Sequence, residues 1–187
     1  MVQRVSENLR NYTKAVFGFD AVVTRVEPDQ WNRPSPCEGW SALDVVAHNI
    51  GMCAMIAGFA SGNGAAGPET PEVLDPHVEW SAARDGVLAS LRGDGVLQRE
   101  ADTPWGRLTI DRFLGVVTVD PLAHTFDFAR ATGQAVVIDA GLAAAALAQL
   151  ERAGDAIRGP GRFAAAVEID AQASIVDRFV AIAGRQP

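Results

Sequence analysis

Residues 35–60, SPCEGWSALDVVAHNIGMCAMIAGFA, decide the fold class. Ser41 with Asp44 three positions on is a shortened capping box, and the run after it is apolar in nearly every register, which predicts a buried helix over 43–58. Turning about 100° per residue from Leu43 gathers Asp44, His48 and Gly51 on one narrow arc. His48 therefore points inward, where both ring nitrogens need partners. A core histidine bonded to a carbonyl or carboxylate and a metal ligand are the two readings of such a ring. Ahead of the helix, Pro34, Pro36 and Gly39 enforce an irregular connection.

On either side of this stretch the helical pattern recurs. Val5, Leu9, Tyr12, Val16, Phe19, Val23 and Val26 form one stripe on a long first helix closed by Pro28. Residues 61–75 are rich in glycine and proline and lack periodicity, which predicts an exposed loop. Asp75 followed by Pro76 opens a third helix that buries Trp80, Ala83, Val87 and Leu91. A connection with a short extended piece, GDGVLQREADTPWGRLTI, leads to a fourth helical region over 111–132 that stops at Gly133. Asp139 opens a fifth helix with Leu142, Ala146, Leu150, Ala153 and Ile157 inward, ended by GPG at 159–161. A short extended segment over 165–169 and a last helix from Asp170 to Ala183 complete the expectation. The class is all-α, a bundle with crossover loops, because loops this long do not suit a plain up-and-down series.

The chain has 187 residues, 48% of them apolar, a formal net charge of −7 and no long basic run, so it lacks the electrostatic footprint of a nucleic-acid binder. Two cysteines, Cys37 and Cys53, are too few for a disulfide scaffold and point to a reducing cytoplasm. Cys53 reads as a buried thiol. The N-terminal MVQRVSENLR lacks an apolar secretion core, and the longest apolar stretch, Ile50 to Ala60, is shorter than the roughly 20 residues of a membrane span. The expectation is a soluble cytoplasmic protein with no membrane partner.

A second polar group interrupts an apolar seam in VDPLAHTFDFARATGQ. Asp120, His124 and Asp127 share one helical face with Phe113, Val116 and Ala131. Two ligands one turn apart plus a third from another helix build a metal site inside a bundle, and His48 supplies the candidate third ligand. Two imidazoles and a carboxylate suit Zn²⁺, Ni²⁺ or Fe²⁺ and leave a coordination position open. Spacing alone reads equally as a helical ion pair. Pro121 leaves two geometries open: Asp120 as the N-cap of a helix beginning at Pro121, or a kink that tilts its carboxylate inward.

WNRPSPCEGWSALDVVAHNIG (31–51), TPWG (103–106), DPLAHTFDFARATGQ (120–134) and the tail around AQASIVDRFVAIAGR occur in an order that resembles the DinB/YfiT-like metal-binding bundles. The resemblance is to the actinobacterial branch related to the N-terminal domain of mycothiol-dependent maleylpyruvate isomerase. It implies a DinB/YfiT-like four-helix bundle over 1–160, with a small C-terminal extension, 161–187, packed on it. It also implies a divalent metal, Zn²⁺ or Ni²⁺, held by His48, Asp120 and His124, with the isomerase carrying glutamate at the acid position. Mycothiol or a similar low-molecular-weight thiol is the implied cofactor, a small electrophile the substrate, and isomerase or S-transferase activity the chemistry. A homodimer is the expected assembly. The competing expectation is a non-catalytic bundle that binds a small molecule or protein partner, its metal site degenerate and its histidines serving as buried hydrogen-bonding groups.

Several neighbours take expected roles from the same reading. Asp127 is assigned a pair with Arg130 or a bond to the second helix, since residues three apart seldom meet at one nitrogen. Arg33, Trp40 and Trp105 lie in loops expected to ring the pocket mouth. His77 is expected to face solvent. Cys37 is read as unreactive, because nothing adjacent in sequence is electropositive enough to depress its pKa.

Overall fold

Each helix begins where the sequence supplies a cap. The fold is described by a computed structural model over residues 6–64, 70–159 and 163–187. Ser6 accepts from the Leu9 amide to open α1 (Glu7–Val23), and Ser41 and Asp44 exchange reciprocal bonds to open α2 (Ala42–Ser61). Asp75 caps α3 (Pro76–Ser90), which has proline in its first turn as expected. A two-stranded antiparallel hairpin follows, β1 (Glu100–Thr103) and β2 (Gly106–Thr109), with Gly106 at φ 95° where the turn needs a left-handed residue. This is the extended piece expected in the second connection.

The region expected as one helix over 111–132 is two, α4 (Ile110–Val117) and α5 (Val119–Thr132), meeting at Thr118. Pro121 is the reason. It sits in the first turn of α5, where its missing N–H would have had no helical partner in any case, and the hydrogen-bond ladder breaks just before it. The Thr118 hydroxyl bonds back to Leu114 O at 2.7 Å and steadies the joint. Asp120 is therefore inside α5, not its N-cap, and the kinked alternative is the observed one. Gly133, at φ 70°, closes α5.

α6 (Ala140–Ala153) starts on the Asp139 cap and buries Leu142, Ala146 and Leu150 as expected. Ile157 lies beyond it in a short 3-10 turn, partly buried against the same cluster. The last helix, α7 (Ile175–Ile182), begins five residues later than the expected Asp170. Asp170 folds instead into a local turn, accepting from the amides of Gln172 and Ala173, and Ser174 provides the real cap through the Asp177 amide. The segment expected as extended at 165–169 forms no strand and bonds once to α7, Val167 N to Ala181 O. Val5, part of the GPG stop and the 160/161 boundary lie outside the described residues.

Two apolar clusters hold the fold. The larger joins α1, α2, α3, α4 and the C-terminal half of α5, where Phe19 meets Trp80 and Phe128 edge to face at 4.9 and 5.7 Å. Asp20 on α1 accepts from the Trp80 indole and from Arg84, tying α1 to α3. The smaller cluster packs the N-terminal half of α5 against α6 and α7 through Leu122, Phe126, Leu150, Phe179 and Val180. α5 is thus shared by both clusters, and its polar face looks into the seam. α2 is long and apolar enough to cross a membrane by length and composition alone, but 61% of its most apolar window is buried in the protein, the pattern of a core helix.

Candidate metal centre

α2 and α5 cross so that His48 and Asp120 face each other. His48 Nε2 lies 3.2 and 3.4 Å from the two carboxylate oxygens of Asp120, and His124 Nε2 lies 3.6 Å from Oδ1. One donor atom from each of the three residues falls within 4.8 Å of the others. Ligands arranged tetrahedrally around a cation with bonds of about 2.0–2.2 Å stand about 3.3–3.6 Å apart, and the distances from each imidazole to Asp120 fall close to that range. Trp40 roofs the group, its ring nearly parallel to His124 (5.8 Å, 17°) and tilted over His48 (5.1 Å). Access remains from one side, with the Asp120 side chain 24% exposed and His48 16%.

The other face of His124 is closed. Its Nδ1 donates to Asp127 Oδ2 at 3.0 Å, which leaves Nε2 as the nitrogen that faces Asp120. Asp127 is fully buried and accepts a two-pronged guanidinium bond from Arg185, Nε to Oδ1 at 3.0 Å and Nη2 to Oδ2 at 2.7 Å. Asp127 therefore does orient His124, contrary to the expected pair with Arg130 or bond to α2. The three-residue spacing permits it because the carboxylate, anchored by Arg185, reaches back one turn. Arg130 instead lies over the Phe126 ring.

Cys37 joins the same network. Its thiol is 3.2 Å from Asp127 Oδ2, and Arg185 Nη2 approaches its sulfur at 3.1 Å, so the electropositive neighbour missing from the local sequence arrives from the C-terminal tail. Cys37, His124 and Asp127 also form a cluster of metal-binding type. There the guanidinium already supplies the positive charge, and a second cation beside it would be repelled. The other expected mouth residues divide. Trp40 takes its place over the imidazoles, whereas Arg33 pairs with Asp29 in solvent and Trp105 packs on Phe113. His77, though exposed, lays its ring edge-on to Trp31 at 5.1 Å.

Charge at the centre is strongly coupled. Burial alone would raise the Asp120 pKa, but the flanking imidazoles of His48 and His124 hold it far below the usual carboxylate range. Burial alone would lower that of His124, yet the Asp120 carboxylate, with Asp127 and Cys37 adding, holds it well above an ordinary imidazole. Asp127, also opposed by burial, is brought down to about 2 by His124 and Arg185. Beside Asp120 a small cavity is lined by Tyr12, Asn49, Met52, Cys53 and Val117. Burial pushes the Cys53 thiol up to about 12, so it is the inert core thiol expected of it.

The chain matches the family model described as the mycothiol maleylpyruvate isomerase N-terminal domain over residues 13–109, a span that includes His48 and ends before Asp120. Two proteins of Mycobacterium tuberculosis, uncharacterized protein Rv0738 of strain H37Rv and uncharacterized protein MT0763 of strain CDC 1551, are each 28% identical to it over 180 residues, 95% of this chain and 97% of theirs. Among solved structures, the crystal structure of a histidine-to-alanine mutant of the mycothiol-dependent maleylpyruvate isomerase superposes with a TM-score of 0.59 at 14% identity, covering 83% of this chain and 73% of that one. At that identity the likeness is one of fold.

Proposed function

This chain belongs to the mycothiol maleylpyruvate isomerase N-terminal domain family, and from that premise we propose a divalent-metal-dependent enzyme that uses a low-molecular-weight thiol, mycothiol or a similar one, on a small electrophile. His48, Asp120 and His124 would hold the ion, Zn²⁺ or Ni²⁺ by the chemistry of the donor set. One observation carries the reading. With Nδ1 of His124 committed to Asp127, its Nε2 lone pair and the Asp120 carboxylate converge on one point, and such electron-rich atoms share a point only around a cation. A proton fills that role when no metal is bound, which is why the His124 pKa is raised.

A bound ion would lower the pKa of a coordinated thiol and keep it as the nucleophilic thiolate at neutral pH. The rest falls to the protein. Asp120 contributes the negative charge of the donor set, Asp127 keeps His124 in the binding tautomer, and Trp40 covers the imidazoles while leaving Asp120 approachable. The cavity that Tyr12, Met52 and Val117 line beside Asp120 holds no more than about one water, so the electrophile would approach from the exposed side of the Asp120 carboxylate. Isomerisation by reversible thiol addition and S-transfer are the two outcomes such a site supports, and a cytoplasmic location, where free thiols persist, fits both.

A second reading is favoured by a different observation. Among the described residues every buried side-chain nitrogen and oxygen already has a hydrogen-bonding partner, so the centre is also satisfied as a polar network in a non-catalytic binding bundle. Metal content of protein purified without a histidine tag separates the two. The enzyme reading expects close to one Zn²⁺ or Ni²⁺ per chain, lost in His48→Ala and in His124→Ala, with turnover that requires an added thiol. Protein that carries no metal and takes none up would reject it.

A further inference from the structure

We propose that Arg185, acting through Asp127, is a C-terminal clasp that sets the affinity of the His48–Asp120–His124 centre for its metal, and that metal binding in turn holds the C-terminal segment in place. The inference rests on the metal reading above and extends it to regulation of the same site.

Three connections carry it. Asp127 is the partner of His124 Nδ1, and a group that fixes the far nitrogen of a ligating imidazole sets both its tautomer and its aim. That carboxylate is itself held by the fork of Arg185, a residue 58 positions away, with both side chains buried. Arg185 in turn is locked to its own segment: Nη1 donates to Ala183 O at 2.6 Å, its amide bonds to Val180 O, and the guanidinium lies 5.5 Å over the Phe163 ring. The ligand and the tail are therefore joined by charge-assisted bonds with no solvent-exposed link between them. Arg185 is a positioning residue. It touches neither the three donor atoms nor the space they enclose.

If the tail must be docked for His124 to be aimed, the two equilibria are linked, and thermodynamic reciprocity requires one coupling factor seen from either side. Loss of a partner beyond the direct ligands lowers metal affinity about 10–100-fold, and the same factor should appear in the opening of the tail when metal is added.

The test uses the full chain with Zn²⁺. Affinity is read by competition with a fluorescent chelator, and tail opening by hydrogen exchange of the Ala183, Gly184 and Arg185 amides, all of which are bonded to α7 carbonyls. Arg185→Met should weaken Zn²⁺ about 10–100-fold, Asp127→Ala at least as much, and the double variant no more than Asp127→Ala alone, since Arg185 acts through that carboxylate. Val87→Ala, which opens the larger apolar cluster on α3 away from both α7 and the polar chain, should leave affinity within about threefold. Saturating Zn²⁺ should slow exchange of the three amides by about the affinity factor in the wild-type chain and leave them unaffected in Arg185→Met. Should Arg185→Met not fold, Arg185→Lys keeps the charge but loses the fork, and an intermediate loss is expected. Wild-type affinity in Arg185→Met or Arg185→Lys, or a loss in Val87→Ala as large as theirs, overturns the clasp alone. A wild-type chain that binds no Zn²⁺ overturns the clasp together with the metal reading.

Discussion

Asp120 and Asp127 flank His124 on the same helix, each within reach of the same ring, and their surroundings give them opposite work. Asp120 faces two imidazole nitrogens, is partly open to solvent, and among the described residues makes no ion pair with an arginine or lysine. Asp127 is sealed and carries a permanent guanidinium partner. A carboxylate whose counter-charge is built into the protein is a structural post, and one whose counter-charge must come from a proton or an ion is a binding group. Residue type and helical face are the same, and the neighbours differ.

The largest effect expected to test this contrast falls on the sealed side. Arg185→Met leaves a buried carboxylate without its cation, a change that costs about 3–5 kcal/mol, to be read as a drop in urea midpoint of the metal-free protein. A loss below about 1 kcal/mol would mean that Asp127 is not a structural post. Next, Asp120→Ala should remove roughly 3 kcal/mol of Zn²⁺ affinity, a site of four donors being worth about 10–16 kcal/mol in all, and should cost the metal-free protein less stability than Arg185→Met does, because the imidazoles it leaves unpaired can give up their protons. Equal damage to stability from the two variants would erase the distinction.

Acid sharpens it further. Because the folded-state pKa of Asp127 is lowered from 3.8 to about 2, its contribution is present above pH 3.8 and is lost as the pH falls from about 4 to about 2. That loss amounts to about 2 kcal/mol, and urea titrations over this range should show the wild-type chain losing more stability than Asp127→Asn by about this amount, the remainder in both coming from Asp120. The smallest effect belongs to Pro121→Ala. In a first helical turn proline forfeits no helical bond, so a stability change within about 1 kcal/mol and unchanged Zn²⁺ affinity are expected. A large loss of affinity would show instead that the kink itself aims Asp120.

How much of this was legible beforehand follows from how far each feature reaches along the chain. The α1 stripe, the Ser41, Asp75 and Asp139 caps and the Gly133 stop are local, and the helices sit where those residues put them. The His124–Asp120 pair was legible because a four-residue step returns to the same helical face. The late start of α7 was not, because both Asp170 and Ser174 are competent caps and only packing chose between them. Arg185 carried no signal at all: a lone arginine in a short tail belongs to no period, and its pairing with Asp127 and Cys37 exists only once α7 has docked on α6.

The sequence by itself determined the helical class, the family and which three polar side chains of α2 and α5 would meet, since each of these depends on spacing within a few turns or on motifs in order. Tertiary structure alone decided which aspartate would be spent on a guanidinium and which would face two imidazoles. That choice depends on charge at a distance of about 3 Å between residues far apart in the chain, and only a folded core sets such a distance.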